Sequence, residues 1–162
     1  ISMTYFFILI FFVFLLNLTN QLYLGDSGSY LLGFIFSIFL ILFYNNNFII
    51  SPFFIVLLLW YPAFETLFSI IRKNNINRSS LKPDSDHLHQ LIFYILKKKF
   101  NLQIIWANIL SANIINFYNA IIFLISLKFV SNSQVQIMLI IINIIIYIVI
   151  YFKLYVLRYK KI

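Results

Sequence analysis

Residues 135–157 read VQIMLIIINIIIYIVIYFKLYVL, an apolar run of 23 residues carrying a single charge, Lys153. About 20 apolar residues wound as a helix cross the hydrocarbon of a bilayer. Working outward from that run, comparable stretches occur at 2–18, 29–44, 48–71 and 102–127, which predicts five crossings. The composition agrees with this. Of 162 residues, 63% are hydrophobic and 10% charged, whereas an ordinary soluble domain is charged at roughly one residue in four. A soluble core this apolar would have nothing to cover it. Three glycines, three prolines and 20% aromatics also exclude a disordered tail or a collagen-like repeat. The expected fold class is all-α: one polytopic membrane helix bundle over 1–162, with a cytoplasmic loop at 72–101 and no internal repeat.

Charge sets the expected orientation. Seven of the twelve basic residues (Arg72, Lys73, Arg78, Lys82, Lys97, Lys98, Lys99) fall in the 72–101 loop, and Lys153, Arg158, Lys160 and Lys161 cluster at the C-terminal end. Lys128 alone falls between the last two runs, on the other side. Two crossings separate the clusters, so both lie on one face, and the positive-inside rule makes that face cytoplasmic. The N-terminus then lies outside. Ile1 has no basic region before the first apolar run, unlike a secretory signal peptide, and an Ile start with this orientation predicts further spans upstream. The net charge of +8 is accounted for by this topology and by anionic lipid, without a nucleic-acid partner. With no cysteine, the chain has no disulfide framework, no Cys-ligated zinc and no thiol nucleophile. Asn108, Asn113, Asn116, Asn119 and Asn143 are expected to hydrogen-bond between helices.

The chemistry is concentrated in two short stretches. Gly25, Gly28 and Gly33, the only glycines, fall around Leu24-Gly25-Asp26-Ser27-Gly28-Ser29. Both histidines fall in Asp84-Ser85-Asp86-His87-Leu88-His89. Two crossings lie between the stretches, so both return to the cytoplasmic surface, where a helix hairpin can set Asp26 beside His87 and His89. A Gly-rich turn lets backbone N–H groups approach a ligand closely, and the helix start after it favours phosphate. Asp26 adds a carboxylate suited to Mg²⁺. A flexible interfacial turn with a solvated Asp26 is the competing reading, of about equal weight. Pro83 halts what precedes it, and Leu88, Leu91, Ile92, Ile95 and Leu96 follow helical spacing, which predicts an amphipathic helix from about Asp86 to Lys99. Asp84, Ser85 or Asp86 would cap it, with His87 and His89 in its first turn, able to donate to a diphosphate. They could equally be solvated, or form a metal pair, although zinc would find further ligands only in Asp84 or Asp86. Glu65, near the inner end of the third run, is either a functional group or the partner of Arg72, two turns on, or of an Asn on a neighbouring helix.

Three motifs in order, Leu24 to Phe34 (LGDSGSYLLGF), Glu65 to Arg72 (ETLFSIIR), and Arg78-Ser79 followed by Lys82 to His89 (KPDSDHLH), resemble the polyprenyl-phosphate N-acetylhexosamine-1-phosphate transferases. That family includes undecaprenyl-phosphate GlcNAc-1-phosphate transferase and phospho-N-acetylmuramoyl-pentapeptide transferase. The resemblance implies a multi-pass enzyme of the bacterial cytoplasmic membrane with its active site facing the cytoplasm. Its reaction would move a sugar-1-phosphate from a UDP-N-acetylhexosamine to undecaprenyl phosphate and release UMP, with Mg²⁺ as cofactor. It further implies that Asp26 is the magnesium-binding acid and that His87 and His89 contact the nucleotide-sugar phosphates, all three being catalytic. Gly25, Ser27, Gly28, Ser29, Arg78, Asp84 and Asp86 would bind substrate. The family's third histidine is Gln90 here, and its upstream aspartate-rich loop has no counterpart, so the chain corresponds to the C-terminal half and is expected to be inactive alone. Substrates, membrane lipids and a homodimer partner complete the expected associations. An inactive remnant or a lipid-phosphate-binding subunit is the alternative. A carrier is disfavoured because its ionisable residues would sit near the midplane.

Overall fold

The computed structural model describes residues 3–75 and 85–159. Among the described residues there are seven helices and no strand: α1 (Met3–Leu18), α2 (Gly25–Asn45), α3 (Pro52–Leu58), α4 (Trp60–Asn75), α5 (Leu88–Lys99), α6 (Ile104–Leu127) and α7 (Ser133–Tyr159). The protein is an all-α membrane bundle. α2, α6 and α7, of 21, 24 and 27 residues, are each long and apolar enough to cross a bilayer. α3 and α4 together make a fourth span, bent by 68°. The first run forms α1, apolar but of only 16 residues, about 24 Å of helix against a hydrocarbon core of about 30 Å.

Local chemistry explains most boundaries. Ser51 caps α3, its hydroxyl accepting the Phe53 N–H at 3.2 Å, and Pro52 occupies the first helical position, where an N–H is dispensable. The break after Leu58 follows from Pro62. A proline there has no N–H for the Leu58 carbonyl, and its ring crowds that oxygen, so the run expected as one span at 48–71 is a bent pair. Asn20 (φ 60°) and Asn101 (φ 53°) take the left-handed conformation just beyond α1 and α5, a role asparagine tolerates. Gly25, at φ 63°, turns the chain into α2.

α5 packs on α6 and α7, and α3 packs on α7. Leu57, Trp60, Leu88, Leu91, Tyr147 and Tyr151 form the buried core, flanked by Phe64 and Phe68. Polar ties cross between helices as the asparagines suggested. Trp60 Nε1 donates to Asn119 Oδ1 at 3.1 Å, Tyr118 donates to Asn143, and Asn108 donates to Asn20 at 3.1 Å. Asn113 reaches the Leu18 carbonyl at 3.5 Å, while Asn116 is exposed and makes no such tie among the described residues. Buried Gln136 donates to the carbonyls of Ser126 (3.0 Å) and Phe129 (2.9 Å), closing the α6–α7 turn. The Ser51 hydroxyl lies 2.8 Å from that of Ser133, and Ser51 N–H donates to the Val130 carbonyl at 3.0 Å. α3 and α7 therefore start at one face, and α4 and α7 end together at the other.

Leu91 is fully buried, whereas Leu31 on α2 is 60% exposed. Leu91→Ala is expected to cost about 2–5 kcal/mol, and Leu31→Ala to stay within about 0.5 kcal/mol. Thermal unfolding in one detergent, comparing both variants with wild type, checks the difference.

Candidate functional site

α4 ends in Arg72 and Lys73 and α7 carries Arg158 in its last turn, and between them lies the short segment that leads into α5. Arg72 Nη1 is 3.2 Å from Asp86 Oδ2, and Arg158 Nη1 is 3.3 Å from Asp86 Oδ1. The Tyr159 hydroxyl donates to Oδ1 at 2.6 Å, and Arg158 also donates to the Ser85 hydroxyl at 2.9 Å and to the Ser85 carbonyl. One carboxylate thus fastens the ends of two helices, and Arg72 and Arg158 lie on one face. Arg158 also lies 5.3 Å from the Tyr94 ring of α5.

Glu65 is the second hub. Its Oε1 accepts from His87 Nδ1 at 3.0 Å and from the Leu88 N–H at 3.1 Å, while Oε2 accepts the Tyr147 hydroxyl at 2.8 Å. Three donors on two oxygens suit an ionised carboxylate, which has no hydrogen of its own to place. Glu65 does not pair with Arg72, which turns to Asp86 instead. Leu88 is the first residue of α5, so Glu65 satisfies one of the N–H groups that every helix start leaves open. α5 begins two residues later than expected, and His87 itself sits at the cap rather than Asp84, Ser85 or Asp86. Gln90 accepts the His87 N–H at 3.3 Å. The rings of His87 and His89 stack at 5.8 Å with planes 14° apart. His87 keeps 29% of its side chain exposed against 13% for Glu65, and His89 is exposed. Removal of water around the His89 ring nonetheless holds its protonation below the ordinary imidazole value. Nearby His87 adds to that effect and Glu65 opposes it.

The glycine-rich stretch folds differently from the expected turn. α2 begins at Gly25, so Asp26, Ser27, Gly28 and Ser29 form its first turn instead of a loop before it. Leu24 gives no side-chain cap, which leaves the opening N–H groups available to an anion. Ser29 donates back to the Gly25 carbonyl at 2.8 Å. A Cβ on Gly28 would approach Leu24 Cδ2 to 2.9 Å, a contact that a shift of the Leu24 side chain would relieve. The Asn20–Asn108 tie places the preceding loop against the first turns of α6, on the side where α5 ends. No direct contact ties Asp26 to the histidines. Asp26 is exposed, no hydrogen bond or ion pair joins it to His87 or His89, and no three acidic or histidine side chains among the described residues are grouped to hold a metal. Arg78 and Asp84 lie outside the described residues.

The parts contributed by α7 were not anticipated. Tyr147, Tyr151, Tyr155 and Tyr159 recur every fourth residue, and their rings follow one another at 6.0, 5.9 and 4.7 Å along the face that meets α4 and α5. That spacing was the available signal. The chain matches no family model, no curated protein and no solved structure.

Two outcomes follow from this geometry. Asp86→Asn is expected to lower stability by about 1–3 kcal/mol, since its two guanidinium partners are largely covered, and to speed hydrogen exchange over residues 85–99. Folded His89 binds fewer protons than unfolded His89, so its contribution is complete above the unfolded value of about 6.5 and shrinks as pH falls below it. Between about pH 7.5 and about pH 5, the melting temperature of wild type should therefore fall further than that of His89→Gln.

Proposed function

We propose that this chain supplies the histidine-bearing part of a transferase that moves N-acetylhexosamine-1-phosphate from a UDP-sugar to undecaprenyl phosphate. UMP is released, in bacterial cell-envelope polysaccharide synthesis. The observation that carries the reading is the start of α5, where exposed His89 stacks on His87 and His87 is gripped by Glu65. In support stand the order of the three sequence motifs and a glycine-containing helix start at α2. The basic ends of α4, α5 and α7 accord with an active site facing the cytoplasm.

The chemistry asks little of a base. A lipid phosphate is anionic at neutral pH, so attack on the β-phosphorus needs charge neutralisation and alignment above all. An oxygen of the lipid phosphate forms a bond to the β-phosphorus, and the bond from that phosphorus to the bridging oxygen breaks. UMP leaves with the electron pair. His89 and His87 are placed to donate to the diphosphate oxygens, and the first-turn N–H groups of α2 offer a further anion seat. The serines of that turn, Ser27 and Ser29, lie beside it. Magnesium accepts one or two carboxylates together with phosphate oxygens and water, and Asp26, exposed, fits as a single ligand of that kind. When bound, the ion would neutralise the diphosphate and the departing UMP. In this proposal the protein also supplies the acidic loop that the described residues lack.

The lack of a direct contact between Asp26 and the histidines favours a second reading, a lipid-phosphate-binding membrane subunit that does not transfer. Both are tested by one experiment on the complete protein in detergent with UDP-GlcNAc, undecaprenyl phosphate and Mg²⁺. Asp26→Asn is expected to abolish UMP release, and His87→Ala and His89→Ala each to lower it at least about tenfold. Undiminished turnover by Asp26→Asn overturns the transferase reading, and binding of undecaprenyl phosphate without any UMP release establishes the second.

A further inference from the structure

The side chain of Glu65 is largely covered, at 13% exposure, yet it holds the ring on which the exposed histidine rests. From it the contacts run outward in a line: Glu65 Oε1 to His87 Nδ1 at 3.0 Å, then the His87 ring to the His89 ring at 5.8 Å and 14°. The same oxygen accepts the Leu88 N–H at 3.1 Å, so the backbone between the two histidines is fixed by the atom that fixes the first ring. Its other oxygen is held by Tyr147 of α7 at 2.8 Å, which prevents the carboxylate from rotating away. A side chain whose only task was to stabilise the bundle would need no imidazole at this point, since Tyr147 and the start of α5 already satisfy it.

We propose that Glu65 is the positioning residue of the histidine pair: it orients His87 through Nδ1, and the His87 ring in turn sets the plane of His89 towards an anionic diphosphate. This rests on the transferase reading for the identity of the ligand, although not for the contact itself. An ionised Glu65 accepts at this contact, so the proposal requires a hydrogen on His87 Nδ1, which the ring spectra test. The charged groups that bear on His89 are Glu65, which favours its protonated form, and His87, which opposes it. Removing the Glu65 charge therefore changes both rings in a defined direction.

Imidazole ¹⁵N labelling of the complete protein in lipid nanodiscs reads both rings, the His87 and His89 signals being those lost in His87→Gln and in His89→Gln. In Glu65→Gln the His87 Nδ1–H form is expected to give way to mixed tautomers, and the protonation midpoint of His89 to move down. UMP release should drop by about 10–100-fold in kcat/KM, as seen where a carboxylate orienting a working histidine is removed. Tyr147→Phe, which strips the other oxygen only, should leave the His87 ring form in place and so separates positioning from general loosening of the bundle. An unchanged His87 ring in Glu65→Gln overturns the inference, as does a changed ring with undiminished UMP release. A changed ring in a protein whose wild type releases no UMP leaves Glu65 as the positioning residue and removes the transferase reading instead.

Discussion

A carboxylate on a membrane-embedded helix has to be met by donors, because neither lipid nor a dry interface replaces the water it has lost. For Glu65 those donors come from two other helices: the His87 ring and Leu88 N–H at the start of α5, and the Tyr147 hydroxyl of α7. Three elements are thereby committed to one another at a single point. The stacking of Phe64, Phe68, Tyr147 and Tyr151 fills the space around it, with ring centres 4.7 to 6.0 Å apart. Asp86 repeats the device closer to water, with Arg72 and Arg158 as its partners. Together the two acids define a rigid floor on which the paired imidazoles stand.

The rest of the bundle is governed by lipid as solvent. Apolar surface gains nothing by leaving hydrocarbon, so helices are joined by close packing and by polar contacts. α2 accordingly buries none of its residues and presents Phe34, Ile41 and Leu42 outward. The buried positions of α6 are mostly small, Ala107, Ser111 and Ser126 with Ile115, and those of α7 are Gln136, Asn143, Tyr147 and Tyr151. Such a seam inverts the pattern of a soluble protein, in which polar groups face out. The N-terminal helices are accordingly joined to the rest by few contacts, and no hydrogen bond ties the glycine-containing start of α2 to the histidines.

Much of this was open to inspection in the chain. Long apolar runs announced the helices, and counting crossings put both basic clusters on one face, in keeping with the Asp86 shared by Arg72 and Arg158, while the Ser51-Pro52 pair at the start of α3 was a signal passed over. Pro62 announced the bend at Leu58, although the hydropathy of 48–71 concealed it, since a proline interrupts hydrogen bonding without lowering the apolar content. The Tyr147 to Tyr159 repeat was equally visible but is silent about what it faces. What no reading of the chain could supply was the pairing: Glu65 with His87 in place of Arg72, and Arg72 with Asp86.

The physical reason lies in two different kinds of distance. Position along the chain, together with the need to close every backbone hydrogen bond in lipid, determines that this protein is helical, roughly where its helices run, and at which face each loop is expected to emerge. Lateral distance across that face depends on how helices pack, on the 68° bend between α3 and α4, and on which donors reach which carboxylate first. Sequence alone therefore brought the two chemical stretches to one side, and the tertiary structure alone decided that Glu65 holds the histidines while no direct contact ties Asp26 to them.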